Sequence, residues 1–424
     1  MLMELARPNS SHDLETFINA LMSNREDMRI RIKAFNKGES SNIVGVVQSI
    51  EAYLYKFQGL KRMYKDNPKN FGSIPEFVWK SSITIAHNSK INQISKKNSF
   101  KDSNANGASA LAASVQNSAA AAAAAGATTT TMVKGQKQRK YMARSLDFEL
   151  AFLLTAFGIS KLLLGYSRIQ TLDIEFETTL ETVMATAGQN NTPSGGLEDE
   201  HRKVSLSWRD FTVAAGIFQY ISDDVLPYLG DFNSNILDLT PDIQNMLKRL
   251  VLADATRLSV RKGIRSGKVE AMVLARLLLH VHEEYKNANR LLHSLPKTDL
   301  RFVSNDIRRY IKDSQQAVYA QALVYLAMAY SKERKFGLAV GFIMEARQFL
   351  VKTIEKDQSV YQPMARLLLD NVVNDMVKLY IRNNDLIGLD QVPNRSELQT
   401  YIPTSRSIME PVTYVPKAYQ LPSV

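Results

Sequence analysis

Residues 237–258 read LDLTPDIQNMLKRLVLADATRL, and this stretch decides the structural class. Thr240 offers an N-cap hydroxyl, Pro241 sits in the first turn where its missing N–H costs nothing, and Asp242 puts an anion at the positive end of the helix dipole. The helix started there is expected to run to about Lys262 and stop at Gly263. The same kind of reading repeats outward. Residues 41–66 carry Val44, Val47, Ile50, Leu54, Phe57 and Leu60 at three-to-four spacing, and the run ends before Asn67-Pro68. Further helices are expected at 145–183, with Gly165 as a candidate break, and at 206–229, 270–292, 306–331, 336–354 and 363–382. No alternating pattern argues for strands, so the chain reads as all-α.

Composition narrows the function. The 424 residues are 45% hydrophobic, with few glycines and prolines, as expected of long regular elements around a sizeable core. The absence of cysteine excludes a disulfide framework, thiolate-bound zinc and a thiol nucleophile, and fits a reducing compartment. The net charge of +11 invites a nucleic-acid reading, but residues 81–140 hold eight basic residues against one acid, +7 of that total. No nucleic-acid partner is therefore expected. Residues 88–138 are rich in Ser, Asn, Lys and Ala, with seven consecutive alanines at 119–125, and read as a low-complexity disordered insert. A second loop is expected at 187–203. Beyond Asp385, Pro393, Pro403, Pro411, Pro416 and Pro422 forbid long helices, so the tail is expected to be an extended arm lying over the bundle. There is no signal-peptide pattern, spanning run or lipidation motif, which points to cytoplasm with peripheral membrane recruitment.

Two constellations bear on chemistry. His280, His282, Glu283 and Glu284 look like a metal set in text, but residues two apart on a helix face nearly opposite ways. No metal, cofactor or catalytic group is expected, and Trp79 and Trp208 read as core. Arg257, Arg261, Lys262, Arg265, Lys268 and Arg276 crowd one interhelix turn. They suit an acidic partner face or anionic lipid; equally, they suit a solvated helix end with cations at the negative dipole pole. Ala317, Ala320, Ala322, Tyr325, Ala329 and Tyr330, then Phe336, Ala339, Val340, Ala346 and Leu350, resemble a tetratricopeptide-type hairpin of closely approaching helices.

The order of motifs is informative as well. Phe77-Val78-Trp79-Lys80, SLDFELAFLLTAFGISKLLLG at 145–165, AAGIFQYISDDVLPYL at 214–229, the 237–258 stretch, VLARLLLHVHEEYKNA at 273–288, FGLAVGFIMEARQFL at 336–350 and NNDLIGLDQVP at 383–393 follow in series. In that order they resemble a BRO domain, the banana-shaped helical module of Alix-type endosomal adaptors. The resemblance spans residues 11–395, interrupted by the insert, with 396–424 as the arm. The V-shaped and proline-rich regions of longer relatives are absent from this sequence, and a lone BRO domain with such an insert resembles fungal ambient-pH signalling regulators. The resemblance implies a non-enzymatic adaptor that binds the C-terminal amphipathic helix of the polymer-forming ESCRT-III subunit, working with other ambient-pH signalling proteins at the plasma membrane or endosome. It places Lys262 and Arg276 opposite partner carboxylates, Val273 and Leu277 against the partner's apolar stripe, Val260 beside them, and a third strip at Met376 and Leu379. Ser259 stands where the family often has an aromatic residue. For Val273 and Leu277 on their own pattern, buried core is the other reading. The alternative function is a tetratricopeptide-like scaffold gripping another peptide without ESCRT.

Overall fold

The computed structural model describes residues 12–36, 38–80, 140–169, 194–229, 236–355, 365–366, 368–417 and 419. The expected insert at 88–138 lies outside the described residues. Ten helices and one hairpin are described below: α1 His12–Asn36, α2 Ile43–Asp66, β1 Phe77–Lys80, β2 Lys140–Ala143, α3 Leu146–Ile169, α4 Ser194–Tyr220, α5 Pro241–Ser266, α6 Ala271–Ser294, α7 Asn305–Lys332, α8 Phe336–Glu355, α9 Asn374–Asn383 and α10 Arg395–Thr400. Each helix from α1 to α9 packs against its neighbours in chain order, so the all-α body is a row of antiparallel partners.

Local chemistry sets the boundaries. The Asn42 side chain accepts the Gly45 N–H and starts α2 at Ile43, two residues from expectation. Thr240 caps α5 through the Ile243 N–H. The helix runs past Gly263 to Ser266 because the left-handed residue that ends it is Gly267, at φ +63°. Helix α3 continues through Gly165. It is long and apolar enough to cross a membrane, but 94% of its most apolar window is buried within the bundle, so it is the central core helix.

Two expectations are corrected. Helix α4 begins at Ser194, inside the loop expected at 187–203. Its first turns are held by the Lys203–Asp199 pair at 2.6 Å and by Glu200, which bridges to Arg261 of α5 at 3.1 Å. Strands also exist: β1 and β2 pair antiparallel, Phe77 opposite Ala143 and Lys80 opposite Lys140. Four residues are too few to show an alternating pattern. Trp79 of β1 is buried, as expected, and stacks on Phe152 of α3 at 5.5 Å. The α7–α8 hairpin has the expected close approach, with Ala320, Ala322, Ala339 and Ala346 fully buried and Tyr330 stacked on Phe342 at 5.4 Å.

The tail is extended, as its prolines predicted, apart from the one-and-a-half turns of α10. From Tyr401 it runs back across the row. Tyr330 Oη donates to the Tyr401 carbonyl, the Val412 N–H donates to the Thr212 carbonyl, and Gln58 donates to Tyr414 Oη. Tyr419 ends the path between Phe17 of α1 and Tyr55 of α2.

Candidate functional site

Helices α5 and α6 meet at the turn that carries the basic cluster, and the structure divides that cluster. Arg261 and Arg265 both reach Glu200 of α4, at 3.1 and 3.5 Å. Arg257 lies 3.8 Å from Asp254 and donates to Tyr285 and Tyr310. These three arginines hold helices together. Lys262 and Lys268 are exposed and make no ion pair among the described residues.

The other expected contact residues separate in the same way. Val273 is half-buried at the α6 edge. Val260, Leu277 and Met376 lie in the hydrophobic core, so direct contact with a partner is corrected for these three: their surface is already spent on neighbouring helices. Leu379 is exposed, but α9 packs on α8, separated from α6 by α7 and α8 in the row. The third strip therefore does not join the α5–α6 surface.

Arg276 holds the arm. Its Nε donates to the Thr404 carbonyl at 2.9 Å, and its own backbone carbonyl accepts the Arg406 N–H at 3.2 Å. Ser405 Oγ donates to Glu283 of α6 at 2.5 Å. The arm thus forms a wall beside the N-terminal half of α6 and presents Ile408, 44% exposed, next to it. Further on, Met409 is buried under Trp208 of α4, whose indole N–H points at its sulfur from 2.8 Å. Trp208 is a surface residue, 36% exposed, not the core residue expected. Between its bonds to α6 at Arg406 and to α4 at Met409 the arm carries Ile408. Trp208, Ile408 and Val273, one turn before Arg276, are therefore the apolar side chains of this α4–α6–arm strip, and Lys262 is an exposed cation at the end of the neighbouring α5.

Sequence reasoning missed the arm's share of the strip, although a signal was present. Trp208, Thr212, Gly216 and Tyr220 recur every four residues along α4, and each one meets the arm. At Gly216 a Cβ would lie 1.7 Å from the Val412 carbonyl oxygen, so only glycine admits the arm there.

A buried polar knot lies where α3, α5, α6 and α7 meet. Asp254 of α5 accepts hydroxyls from Tyr166 of α3, Tyr285 of α6 at 2.5 Å and Tyr310 of α7 at 2.8 Å. Burial holds its carboxyl above the usual carboxylate range, against the opposing pull of Arg257 and the three phenols. Burial also pushes the Tyr166 hydroxyl well up, and the Asp254 charge adds to that shift. His282 is turned inward, its Nδ1 3.0 Å from the Gln315 carbonyl and its ring against Tyr319, and burial lowers its pKa. These groups are oriented by packing and by their hydrogen bonds.

A family model described as a BRO1-like domain matches residues 181–420, more than half of the chain and inclusive of the arm. The chain belongs to the BRO1-like domain family. Solved structures agree on the fold. This BRO1-like domain matches the ALIX BRO1 domain from a complex with CHMP4C at 13% identity and a TM-score of 0.61, over 96% of this chain and 88% of that one. It matches ALIX in complex with the SIVmac239 PYKEVTEDL late domain at 14% identity and a TM-score of 0.58, over 94% of this chain and 44% of that one. A Bro1 domain described in terms of endosomal targeting matches at 13% identity and a TM-score of 0.56, over 94% of this chain and 83% of that one. At these identities the likeness is one of fold.

Proposed function

We propose that this BRO1-like domain is a non-enzymatic adaptor that grips the C-terminal amphipathic helix of the polymer-forming ESCRT-III subunit. The observation that carries the reading is the apolar strip at the α4–α6–arm junction, with an exposed cation on the neighbouring α5. Trp208, Val273 and Ile408 offer apolar contacts, and Lys262 offers a cation with no partner among the described residues. That is the complement of a helix with an apolar stripe and an acidic edge. The ALIX BRO1 complex with CHMP4C supports the partner class. Arg276 acts one step removed, by fixing the wall that Ile408 stands on. The resemblance to the fungal pH-response regulator PalC adds a setting. The adaptor would bring other ambient-pH signalling proteins to ESCRT-III at the plasma membrane or endosome, from the cytoplasm.

Calorimetric titration with the isolated ESCRT-III helix tests the reading. Wild type should bind. Ile408→Asp should abolish binding without lowering the melting temperature, because a carboxylate would be buried without a partner only in the complex. Val273→Asp should abolish binding with a modest loss of stability, since Val273 packs partly against the core. Lys262→Glu should weaken binding about tenfold, or ~1.4 kcal/mol. Unchanged binding by all three variants removes the site. In a fungal host, the same variants should impair growth at alkaline pH if the signalling role holds.

A second reading has its own observation. Tyr319, Phe349, Asn394, Arg395, Ser396 and Gln399 line an open cleft of about 700 Å³ between the α7–α8 hairpin and α10. A peptide held there, as in a tetratricopeptide-like scaffold, is the expected result if wild type ignores the ESCRT-III helix.

A further inference from the structure

The turn that follows α9 displays aliphatic side chains outward. Leu386 is 70% exposed, Ile387 67% and Leu389 80%, with Leu379, Ile381 and Val392 also exposed around them. Consecutive large aliphatics on a convex turn are uncommon on a soluble surface.

This knuckle is rigid. The Leu389 N–H donates to the Asn384 carbonyl at 2.6 Å. The buried Asn384 side chain donates to the Asp390 carbonyl at 3.0 Å and accepts the Asp390 N–H at 3.2 Å. Asp390 Oδ2 in turn accepts the Gly337 N–H at the start of α8, and Gly388 rests on Phe336. Leu389 sits at φ +53°, in the left-handed region where glycine or asparagine is easier to hold. A leucine kept in a strained conformation, with its side chain in water, is a feature that folding alone does not explain.

The surrounding charge indicates what covers it. Phe336, which supports Gly388, directly follows the α7–α8 turn of Lys332, Glu333, Arg334 and Lys335. Lys335 pairs with Glu333 at 2.8 Å, and Lys378 of α9 pairs with Asp375 at 3.2 Å. Asp390 is occupied by the Gly337 N–H. Lys332, Arg334 and Arg382 make no ion pair among the described residues, leaving three cations against the two acids Asp385 and Asp390 around the knuckle. A protein partner would favour an aromatic-rich patch or a groove. A convex aliphatic tip with a cationic rim suits a soft anionic surface into which side chains can sink.

We propose that the Leu386–Leu389 knuckle inserts into the interfacial region of an anionic lipid bilayer, with Lys332, Arg334 and Arg382 at headgroup level. The site belongs to the α8–α9 end of the row, apart from the α4–α6 strip. The domain could therefore hold a membrane and a partner helix together, and this proposal does not depend on the partner reading.

Flotation of the full chain with phosphatidylcholine vesicles, with and without phosphatidylserine, tests it. Wild type should float with the anionic vesicles and far less with the neutral ones. Leu386→Asp with Ile387→Asp should reduce flotation about tenfold or more while melting like wild type, since both side chains are exposed. Leu389→Gly should float less yet melt higher, because it removes one aliphatic anchor and the left-handed strain. Lys332→Glu with Arg334→Glu should lower flotation several-fold, most at low salt. Failure of wild type to float, or unchanged flotation by the double aspartate variant, would overturn the proposal. So would a concentration-dependent dimer in sedimentation that the aspartates abolish, because the knuckle would then be an interface between copies.

Discussion

The carboxylate of Glu149 lies against one guanidinium, and that of Asp254 against three phenols. Both are in the core, and each ties four elements together. Glu149 of α3 accepts from Arg25 of α1 at 2.9 Å, Tyr53 of α2 at 3.0 Å and Trp79 of β1 at 2.5 Å. Asp254 of α5 gathers hydroxyls from α3, α6 and α7, and its nearest cation, Arg257, stays 3.8 Å away. The first knot is compensated by charge and the second by dipoles. A buried ion pair is costly to break because the survivor remains charged and dry. A buried anion solvated by neutral donors remains expensive to ionise, and the raised Asp254 pKa reflects that cost. The α1–α3 end is thus held by a charge pair that must stay complete. The α3–α7 centre tolerates neutralisation.

The sharpest way to break the comparison is to neutralise each carboxylate without changing its shape. Glu149→Gln should cost about 3–5 kcal/mol in denaturant unfolding, because Arg25 would be buried beside an amide. If it costs no more than the matching Asp254 change, the distinction fails. Gly216→Ala comes next. Its methyl collides with the arm that joins the two ends, so about 2 kcal/mol should be lost, and protease cleavage should appear between Tyr401 and Tyr419. Asp254→Asn should cost only about 1 kcal/mol near neutral pH, since a desolvated charge is removed along with part of the hydrogen bonding.

The pH dependence sharpens this last case. An acid whose folded pKa is raised stabilises the fold fully below its unfolded pKa and loses that contribution as pH climbs through the folded value. The advantage of wild type over Asp254→Asn should therefore be largest below pH ~4 and shrink as pH rises past the usual carboxylate range. A gap that widens with pH would mean that Asp254 is stabilised as the anion. The smallest effect should come from Tyr310→Phe, about 0.5–1 kcal/mol, because Asp254 keeps two phenol donors.

Legibility varied with how local the determinant was. Thr240-Pro241-Asp242 announced α5 because capping involves only adjacent residues. The prolines announced the arm's extended form, since each restricts its own backbone. Two four-residue strands offered too little pattern to read, and helix α1 went unread as well. The start of α4 was hidden behind Gly195-Gly196, where ion pairs to α5 outweigh local breakers. At the candidate site, Lys262 was placed at the surface, whereas Val260, Leu277 and Met376 turned out to be core. A helical period shows that residues share a face; it does not show whether that face meets a helix or water.

What the sequence determined by itself is the all-α class, most helix limits, the close α7–α8 pairing and the extended tail, all set by interactions within a few residues. What only the tertiary structure decided is which charges remain available and what stands beside them. Arg261 and Arg265 are consumed by Glu200, sixty-odd positions away, while Lys262 between them is left to solvent. Arg276 faces an arm 128 residues downstream. Such pairings depend on how helices are rotated about their axes and where the chain returns. Many neighbouring surfaces fix those quantities jointly, and no single stretch of sequence encodes them.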